Sequence, residues 1–384
     1  MALRYLTAGE SHGKALSAII EGFPAGIRID VEKVNKKLRQ RQGGYGRGNR
    51  MQIEKDQVEI TAGLRDSITL GSPLALTVFN IDWANWQEIM DPFEAVRNED
   101  KVVTRPRPGH ADLAGALKYR HYDLRNVLER ASARETTMRV AVGAFAQQFL
   151  SYFGIKIQGQ TVSVGSVRSD IQPEVFGDQL YDNPFYCPDN KAANAMKELV
   201  DQAKEQGDSL GGVFQIIAEG LPPGLGSHVH WDRKLDGLLA QALMSIPSVK
   251  GVEIGEGFNS GNTWGSKMQD AITYSREAGY YRRTNHAGGI EGGLSNGEKL
   301  VIRAAVKPIP TLMAPLESVE MLTKSTQPAA VERSDVCVVP AAAIVGETVT
   351  AWVLAVAMLD KFGGDHLDES IGNYQRYLAY LKER

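Results

Sequence analysis

The chain has 384 residues, 43% of them hydrophobic, and its 43 basic and 46 acidic residues leave a net charge of −3. This size and composition allow a large buried core. The balanced charge excludes the global basic field that is typical of nucleic-acid-binding proteins, so no nucleic-acid partner is expected. The only two cysteines, Cys187 and Cys337, can form neither a disulfide framework nor a cysteine zinc site, which favours a reducing cytoplasmic setting.

Membrane association and metal binding are not predicted. Residues 1–5 show no basic segment followed by an apolar one, so no signal peptide is expected. The longest apolar stretch, residues 352–359, is far shorter than the roughly 20 residues that a membrane helix needs. His228 and His230 alternate along the chain, but no third ligand accompanies them, so the sequence predicts no metal site.

One sequence landmark occurs in both halves of the chain. Residues 18–26 and 216–224 each have the pattern of an apolar strand followed by a Pro/Gly turn. Each is followed by an aspartate and an amphipathic run, at 30–38 and at 232–244, which predicts a capped helix.

A second landmark follows in the same order. Residues 127–132 and 330–335 each lead into a long apolar run that ends at a glycine, Gly154 or Gly363, which is a common helix stop signal. Chance similarity between short apolar segments is the alternative. Matched landmarks in matched order favour an internal duplication.

The domain organisation follows from these landmarks. We predict a single domain over 1–384 with halves at 1–155 and 210–384, joined by a connecting segment at 156–209. The halves mix strands with long helices and lack a regular βαβ alternation. This pattern favours an α+β fold with antiparallel sheets.

Residues 9–13, Gly-Glu-Ser-His-Gly, match the pattern of a hydrolase nucleophile elbow with Ser11 as the nucleophile. An elbow needs a helix after the motif, whereas residues 15–20 have the pattern of a strand. A structural glycine turn that carries an exposed His12 is the second alternative.

Several segments combine basic residues with glycine or proline. In residues 36–50 arginines alternate with glycines, which suits an anion site, an RNA-binding loop or a plain surface loop. Residues 105–112 present two arginines, a histidine and an aspartate on a proline-stiffened loop. Residues 129–137 and 333–335 indicate either anion-binding helix starts or ordinary caps, and residues 307–311 are rigid and proline-rich, as at the exit of an edge strand. Together they predict a site for a multiply anionic small molecule with an acid–base pair nearby.

These segments resemble a known family. Residues 9–13, 130–137 and 332–335 look like the three signature motifs of chorismate synthases, and residues 43–50, 107–112 and 307–311 match as well. The resemblance covers nearly the whole chain in order. It implies a β–α–β sandwich with internal pseudo-twofold symmetry, long helices packed between antiparallel sheets, and a homotetramer.

The family converts 5-enolpyruvylshikimate 3-phosphate to chorismate and phosphate by 1,4-elimination, the last step of the shikimate pathway. The resemblance therefore implies a lyase of aromatic amino acid biosynthesis that requires reduced FMN. Some members use NADPH to reduce the flavin themselves. This chain has no extra segment for that task, so an external flavin reductase is expected, with NADPH as an indirect reductant.

The resemblance also implies residue roles. His12 would lie beside the leaving phosphate, His110 at the N1 side of the flavin and Asp335 near flavin N5. The implied substrate-binding residues are Ser11, Arg41, Arg47, Arg107, Ser132 and Arg134. The implied cofactor-binding residues are Arg130, Ala131, Ser132, Pro247, Ser248, Gly292, Lys307, Pro308, Ile309, Pro310, Thr311 and Arg333.

The chain departs from the family pattern at one place. Pro247 follows Ser245 and Ile246 where family members usually have asparagine. Proline has no backbone donor and no side-chain amide. Pro247 and Ser248 are therefore assigned to flavin binding only because of their position in the family pattern.

Overall fold

The computed structural model describes residues 3–48, 53–94, 101–277, 279–332 and 334–384. Strands and helices mix without a regular βαβ alternation, which agrees with the predicted α+β class. The longer strands are β1 Arg4–Ala8, β2 Ala15–Glu21, β3 Glu59–Ala62, β6 Leu74–Phe79, β7 Lys156–Val164, β9 Gly212–Glu219, β10 Val249–Ile254 and β15 Leu300–Val306. The short strands are β4 Leu64–Arg65, β5 Ile68–Thr69, β8 Val167–Arg168, β11 Ile272–Ser275, β12 Gly279–Arg282, β13 Ile290–Glu291, β14 Leu294–Ser295, β16 Glu317–Val319 and β17 Thr326–Pro328.

The helices vary in length from one turn to more than six. They are α1 Val31–Gln42, α2 Asp112–Tyr119, α3 Arg125–Ala131, α4 Thr136–Ser151, α5 Asn190–Glu205, α6 Leu235–Met244, α7 Gly265–Met268, α8 Val339–Phe362 and α9 Leu367–Glu383. Short 3-10 turns occur at Ile81–Asn85, Ala133–Glu135, Asp178–Asp182, Trp231–Arg233 and Gly257–Asn262.

Two antiparallel sheets hold the longer strands. The first has the order β1-β2-β6-β3 and the second has the order β10-β15-β9-β7-β8. When β8 is left aside, both sheets have the same strand order. In each sheet, the first strand along the chain is followed across the sheet by the second, then by the fourth and then by the third. In both sheets the central strands are antiparallel, with Ser17 opposite Thr77 in the first and Ile216 opposite Ile302 in the second.

The two long apolar helices lie between the sheets. Helix α4 packs on β1, β2 and β6, helix α8 packs on β7 and β9, and the two helices pack against each other. They approach closely at Gly143, where an added Cβ would lie 2.2 Å from the carbonyl oxygen of Thr348. The chain therefore buries both helices in one continuous core.

The predicted helix at residues 30–38 is α1, and its first turn is capped as expected. The Asp30 side chain accepts a hydrogen bond from the backbone N–H of Glu32 at 3.0 Å. The second predicted helix, at 232–244, is shorter than expected. A 3-10 turn occupies Trp231–Arg233 and α6 begins only at Leu235.

Both long helices begin later than the sequence predicts. The segment that starts near residue 127 breaks at Ser132, which is extended and caps a 3-10 turn before α4. The other long helix begins at Val339, with a proline in its first turn, so Asp335 precedes it by four residues and does not cap it. Arg333 lies outside the described residues.

Residues 156–209 do more than connect the halves. Their first part is β7, which pairs with β9 and β8 inside the second sheet. The strand was missed because its buried positions carry polar side chains. Gln158, for example, is buried and bonds the backbone at Phe176 and Gly177.

Helix α8 is longer than its uninterrupted apolar stretch suggests. Its 24 residues are long and apolar enough to span a membrane, although 83% of the apolar window is buried inside the protein. The sequence-based estimate of residues 352–359 was too short because Glu347 and two threonines interrupt the apolar run without ending the helix.

Glu347 is a fully buried carboxylate in the middle of α8, and it is the centre of a polar network. Lys37 of α1 forms an ion pair with it at 2.5 Å. Gln147 of α4, the backbone N–H of Gly159 in β7 and the hydroxyl of Tyr181 donate hydrogen bonds to its two oxygens at 2.6–3.0 Å. The network links three core elements to α8, and because the carboxylate is paired, its burial is tolerated.

We expect Glu347→Ala to lower the free energy of unfolding by about 3–5 kcal/mol, because it leaves the mostly buried Lys37 ammonium without its ion-pair partner. Urea unfolding followed by circular dichroism measures this loss. Glu198→Ala, on the exposed face of α5, is the control and should change stability by no more than about 0.5 kcal/mol. Equal stability of the two variants would contradict a structural role for the network.

Candidate active site

A cleft of about 700 Å³ gathers most of the segments that the sequence analysis singled out. One wall is apolar, and its residues come from α3, the loop before β10, and α8 with the segment that precedes it. They are Leu128, Ile246, Val331, Val338, Ala341, Ala342 and Val345. Its volume lies within the range of small-molecule sites.

The other walls are strongly cationic. Among the described residues, seven Arg and Lys side chains line the cleft against two carboxylates, Glu332 and Asp335. The cations are Arg41, Arg47, Lys101, Arg107, Arg125, Arg134 and Lys307. This excess of positive charge favours a ligand with several anionic groups.

Ser11 and His12 lie in the turn between β1 and β2, which is held against the C-terminal end of α3. The backbone N–H of Ser11 donates to the carbonyl oxygen of Glu129 at 3.0 Å, and that of His12 donates to Oε2 of Glu129 at 2.7 Å. The Nδ1 atom of His12 lies 2.9 Å from Oε1 of the same carboxylate. Three hydrogen bonds to one residue therefore fix the position of both side chains.

Glu129 is only 2% exposed. Burial by itself would raise the pKa of Glu129. The hydrogen bonds from His12 and the positive charges of His12 and Arg125 outweigh burial and hold that pKa below its ordinary value. The Glu129 carboxylate that contacts His12 therefore stays ionised at neutral pH.

The indole ring of Trp86 stacks on the imidazole ring of His12. The two rings are stacked with centroids 3.9 Å apart and planes 25° apart. Lys101 and Arg125 lie 4.7 Å and 5.0 Å from the centroid of the same indole, and the indole N–H donates to Asp82 at 3.2 Å. The histidine is thus held between a fixed aromatic platform and a fixed carboxylate.

His110 lies on the loop before α2, beside a second buried carboxylate. Its Nδ1 atom is 2.5 Å from Oδ1 of Asp112, and Arg107 donates to Oδ2 of Asp112 at 2.8 Å. Arg107 also donates to the hydroxyl of Thr311 at 2.9 Å. Burial opposes ionisation of Asp112, but the hydrogen bonds from His110 and Arg107 lower its pKa far below the ordinary value.

Arg41 and Arg134 are nearly buried in the wall of the cleft. Arg134 donates to Asp56 at 2.7 Å and to Asn80 at 2.7 and 3.0 Å, while Arg41 donates to the Thr136 hydroxyl at 2.9 Å. Burial lowers the pKa of Arg41 to about 9, and Asp56 opposes that change, so Arg41 is protonated at neutral pH. Its buried Nη1 atom lies 3.7 Å from Oδ2 of Asp56, which is within ion-pair distance but too long for a hydrogen bond.

Asp335 anchors the glycine-rich loop that carries Arg47. Its Oδ1 atom accepts from the backbone N–H of Gly48 at 2.6 Å, and its Oδ2 atom lies 2.8 Å from Nη1 of Arg47. The backbone N–H of Val336 also donates to the carbonyl oxygen of Gly46 at 2.7 Å. Asp335 therefore meets a guanidinium and a loop amide, where the sequence predicted a helix cap.

Most of the residues implied for cofactor binding lie along this cleft. They are Ala131, Ser132, Pro247, Ser248, Lys307, Ile309, Pro310 and Thr311. Lys307 donates to the carbonyl oxygen of Gly109 at 2.5 Å, and burial together with Lys250 lowers its pKa. The backbone N–H of Lys307 also donates to the carbonyl oxygen of Ser248 at 2.9 Å. The segments around these two residues are therefore adjacent in the wall of the cleft.

Three of the implied residues do not line the cleft in this chain. Arg130 points the other way and donates to the carbonyl oxygens of Thr7 and Gly9, so it holds the turn that carries His12. Pro308 is exposed, between two residues that do line the cleft. Gly292 lies in the β13–β14 hairpin with open space around its Cα. Arg333 cannot be placed, because it lies outside the described residues.

The sequence analysis missed four important residues of the site. Trp86, Lys101 and Arg125 lie outside every motif, and Glu129 was noted only as part of one. Arg125 and Glu129 are four residues apart on a helix, which is the spacing of an ion pair, and this was the one available signal. No local pattern connects Trp86 with His12.

Known proteins resemble this chain along its whole length. The family model described as chorismate synthase matches residues 3–359. A chorismate synthase of Moorella thermoacetica is 57% identical over 384 residues, covering 99% of this chain and all of the relative. One of Symbiobacterium thermophilum is 54% identical over 393 residues, covering all of both chains.

A solved structure gives the same result. The crystal structure of a chorismate synthase is 41% identical, covers all of this chain and 99% of that chain, and superposes with a TM-score of 0.81. Similarity of this extent in sequence and in fold supports one assignment. This chain belongs to the chorismate synthase family.

Proposed function

We propose that this protein converts 5-enolpyruvylshikimate 3-phosphate to chorismate and phosphate with the help of reduced FMN. The observation that carries the proposal is the single cleft in which seven cations and two histidines converge from distant parts of a chain of this family. The substrate carries two carboxylates and a phosphate, and guanidinium groups match all three.

Substrate binding is assigned to the cationic wall. Arg47 reaches the cleft from the glycine-rich loop, and Arg41 lines the same space while its Nη1 atom is paired with Asp56 at 3.7 Å. Arg107 and Arg134 contribute charge while their hydrogen bonds to buried carboxylates fix their planes. Ser11 and Ser132 line the same space and can donate from their hydroxyl groups.

The cleft also suits a flavin. It combines an apolar wall on α8 with a cationic edge at Lys307, as a planar ring with a phosphate tail requires. Ala131, Ser132, Ser248 and the segment 307–311 would hold the cofactor, and Pro247 would contribute only van der Waals contact. When bound, reduced FMN would supply electron density that eases cleavage of the carbon–oxygen bond.

Proton transfer is assigned to three side chains. His12, as the imidazolium, would donate a proton to the departing phosphate, which leaves with the bonding electron pair of the carbon–oxygen bond. Asp335 would take up the proton that the substrate ring loses. His110 would hold a proton beside the cofactor, supported by Asp112.

Two other functions have less support. A hydrolase that uses Ser11 needs a helix directly after the nucleophile, but β2 follows Ser11 here. An RNA-binding loop should present its arginines to solvent. Arg41 and Arg47 instead have side chains that are 5% and 11% exposed and belong to the cleft.

The wider organisation is part of the proposal. The matched strand orders of the two sheets support an internal pseudo-twofold that relates α4 to α8 and α1 to α6. With β7 as the first strand of the second half, the halves would divide near residue 155. We further propose a cytoplasmic homotetramer supplied with reduced flavin by an external reductase, with NADPH used only indirectly.

The direct test is an anaerobic assay. Purified protein, photoreduced FMN and 5-enolpyruvylshikimate 3-phosphate should give chorismate, measured by its absorbance, and one phosphate per chorismate. Omission of the flavin, or use of oxidised FMN, should abolish the product. Failure of the complete mixture to form chorismate would refute the proposed function.

His12→Ala and His110→Ala should each lower kcat by about 100-fold or more, because general acids act mainly on the transition state. KM should change much less. His228→Ala is the matched control, since His228 is exposed and does not line the cleft. A histidine whose removal leaves kcat at the control value has no part in proton transfer.

Asp335→Asn should slow turnover by about 100-fold or more while FMN and substrate still bind. Asparagine can still accept the hydrogen bond from Gly48 but cannot take up a proton at neutral pH, and it loses the ion pair with Arg47. Single-turnover kinetics with reduced FMN measure the chemical step apart from binding. Chorismate formation at the wild-type rate would limit Asp335 to anchoring the loop.

A further inference from the structure

Each histidine of the cleft makes an Nδ1 contact with a buried carboxylate that also binds an arginine. His12 has Glu129 and Arg125, and His110 has Asp112 and Arg107. The His12 group differs in one respect. Its carboxylate also accepts the backbone N–H of His12, so ring and backbone are fixed by the same group.

We propose that Glu129 is a positioning residue that holds the His12 ring by Nδ1 and directs its Nε2 atom at the ligand, ready to donate a proton. This inference rests on the proposed function, because it assigns to Glu129 a task only if His12 donates to the departing phosphate. With Nδ1 bound to Glu129, the nitrogen left for the ligand is Nε2.

Geometry supports the assignment. A carboxylate accepts hydrogen bonds and cannot donate them when ionised, so Nδ1 of His12 must carry the proton in this pair. The stack on Trp86 removes the remaining rotation of the ring. Together these contacts hold Nδ1–H toward Glu129 and favour one ring orientation, so that Nε2 is the atom presented to the ligand.

The surrounding charges favour an ionised Glu129. Arg125 donates to Oε1 of Glu129 at 3.0 Å and to Glu332 at 3.1 Å, which ties the pair to the segment before α8. In the part of the chain that the structure describes, Lys101 and Asp82 are further charged groups that contact Trp86 of this stack. Glu129 is the negative charge that contacts the His12 ring directly, at 2.9 Å from Nδ1.

Removal of that charge should act on His12 specifically. In Glu129→Gln the amide oxygen can still accept from Nδ1, but the negative charge is lost. We therefore expect kcat to fall by about 10-fold or more, because a carboxylate that orients a catalytic histidine contributes at least that much to turnover. KM should stay close to the wild-type value.

A second readout does not depend on activity. In protein with ¹⁵N-labelled histidine, assigned with His12→Ala, we expect the Nδ1 proton of wild-type His12 to resonate far downfield at neutral pH. Glu129→Gln should move that signal upfield. Asp112→Asn, the matched change on the other side of the cleft, should move the signals of His110 and leave those of His12 unchanged.

The possible results separate the two proposals. If Glu129→Gln does not fold, the wild-type Nδ1 signal still tests the inference, and its absence from the far-downfield region would overturn it. In Glu129→Gln, kcat at the wild-type value or unchanged His12 signals would overturn it. If the wild-type protein forms no chorismate, the proposed function fails, while the ring signals still show whether Glu129 holds His12.

Discussion

The cleft depends on carboxylates buried behind its cationic surface. Asp56, Asp112 and Glu129 are each no more than 2% exposed, and each pairs with an arginine that lines the cleft. Without these partners, several guanidinium groups could not be brought together in a partly desolvated cleft. The free-energy cost of desolvation and mutual repulsion would exceed the free energy gained by packing. The same carboxylates fix the planes of the arginines and the rings of both histidines, so charge compensation and site geometry have one origin.

The packing of the hydrophobic core determines where the charged residues of the cleft lie. Helices α4 and α8 approach closely at Gly143, and the segments that precede them, residues 132–135 and 334–338, form neighbouring parts of the cleft wall. The turn after β1 reaches the same place because Glu129 and Arg130, adjacent on α3, bind its backbone from two sides. Hydrophobic packing between the sheets thus decides where the catalytic segments meet, and polar contacts decide how they are oriented.

Several expectations from sequence agree with the structure and others do not. The strand after residues 9–13, the helix capped by Asp30 and the α+β class were predictable, because periodicity and capping are local signals. The start of α8 was not, because Asp335 binds Gly48 and Arg47 across the chain instead of capping a helix. Strand β7 was missed because its buried side chains are polar and find their partners in a distant segment.

The sequence by itself determined the family, the reaction that the family performs, and the segments that carry basic residues, histidines and glycines, because these are properties of short motifs. Only the tertiary structure decided which residues share the cleft. It excluded Arg130 and Gly292, brought in Trp86, Lys101 and Arg125, and gave His12 its partner Glu129. The physical reason is that pairing between a buried charge and its partner is set by distance in space, and residues 117 positions apart along the chain carry no local signal of their contact.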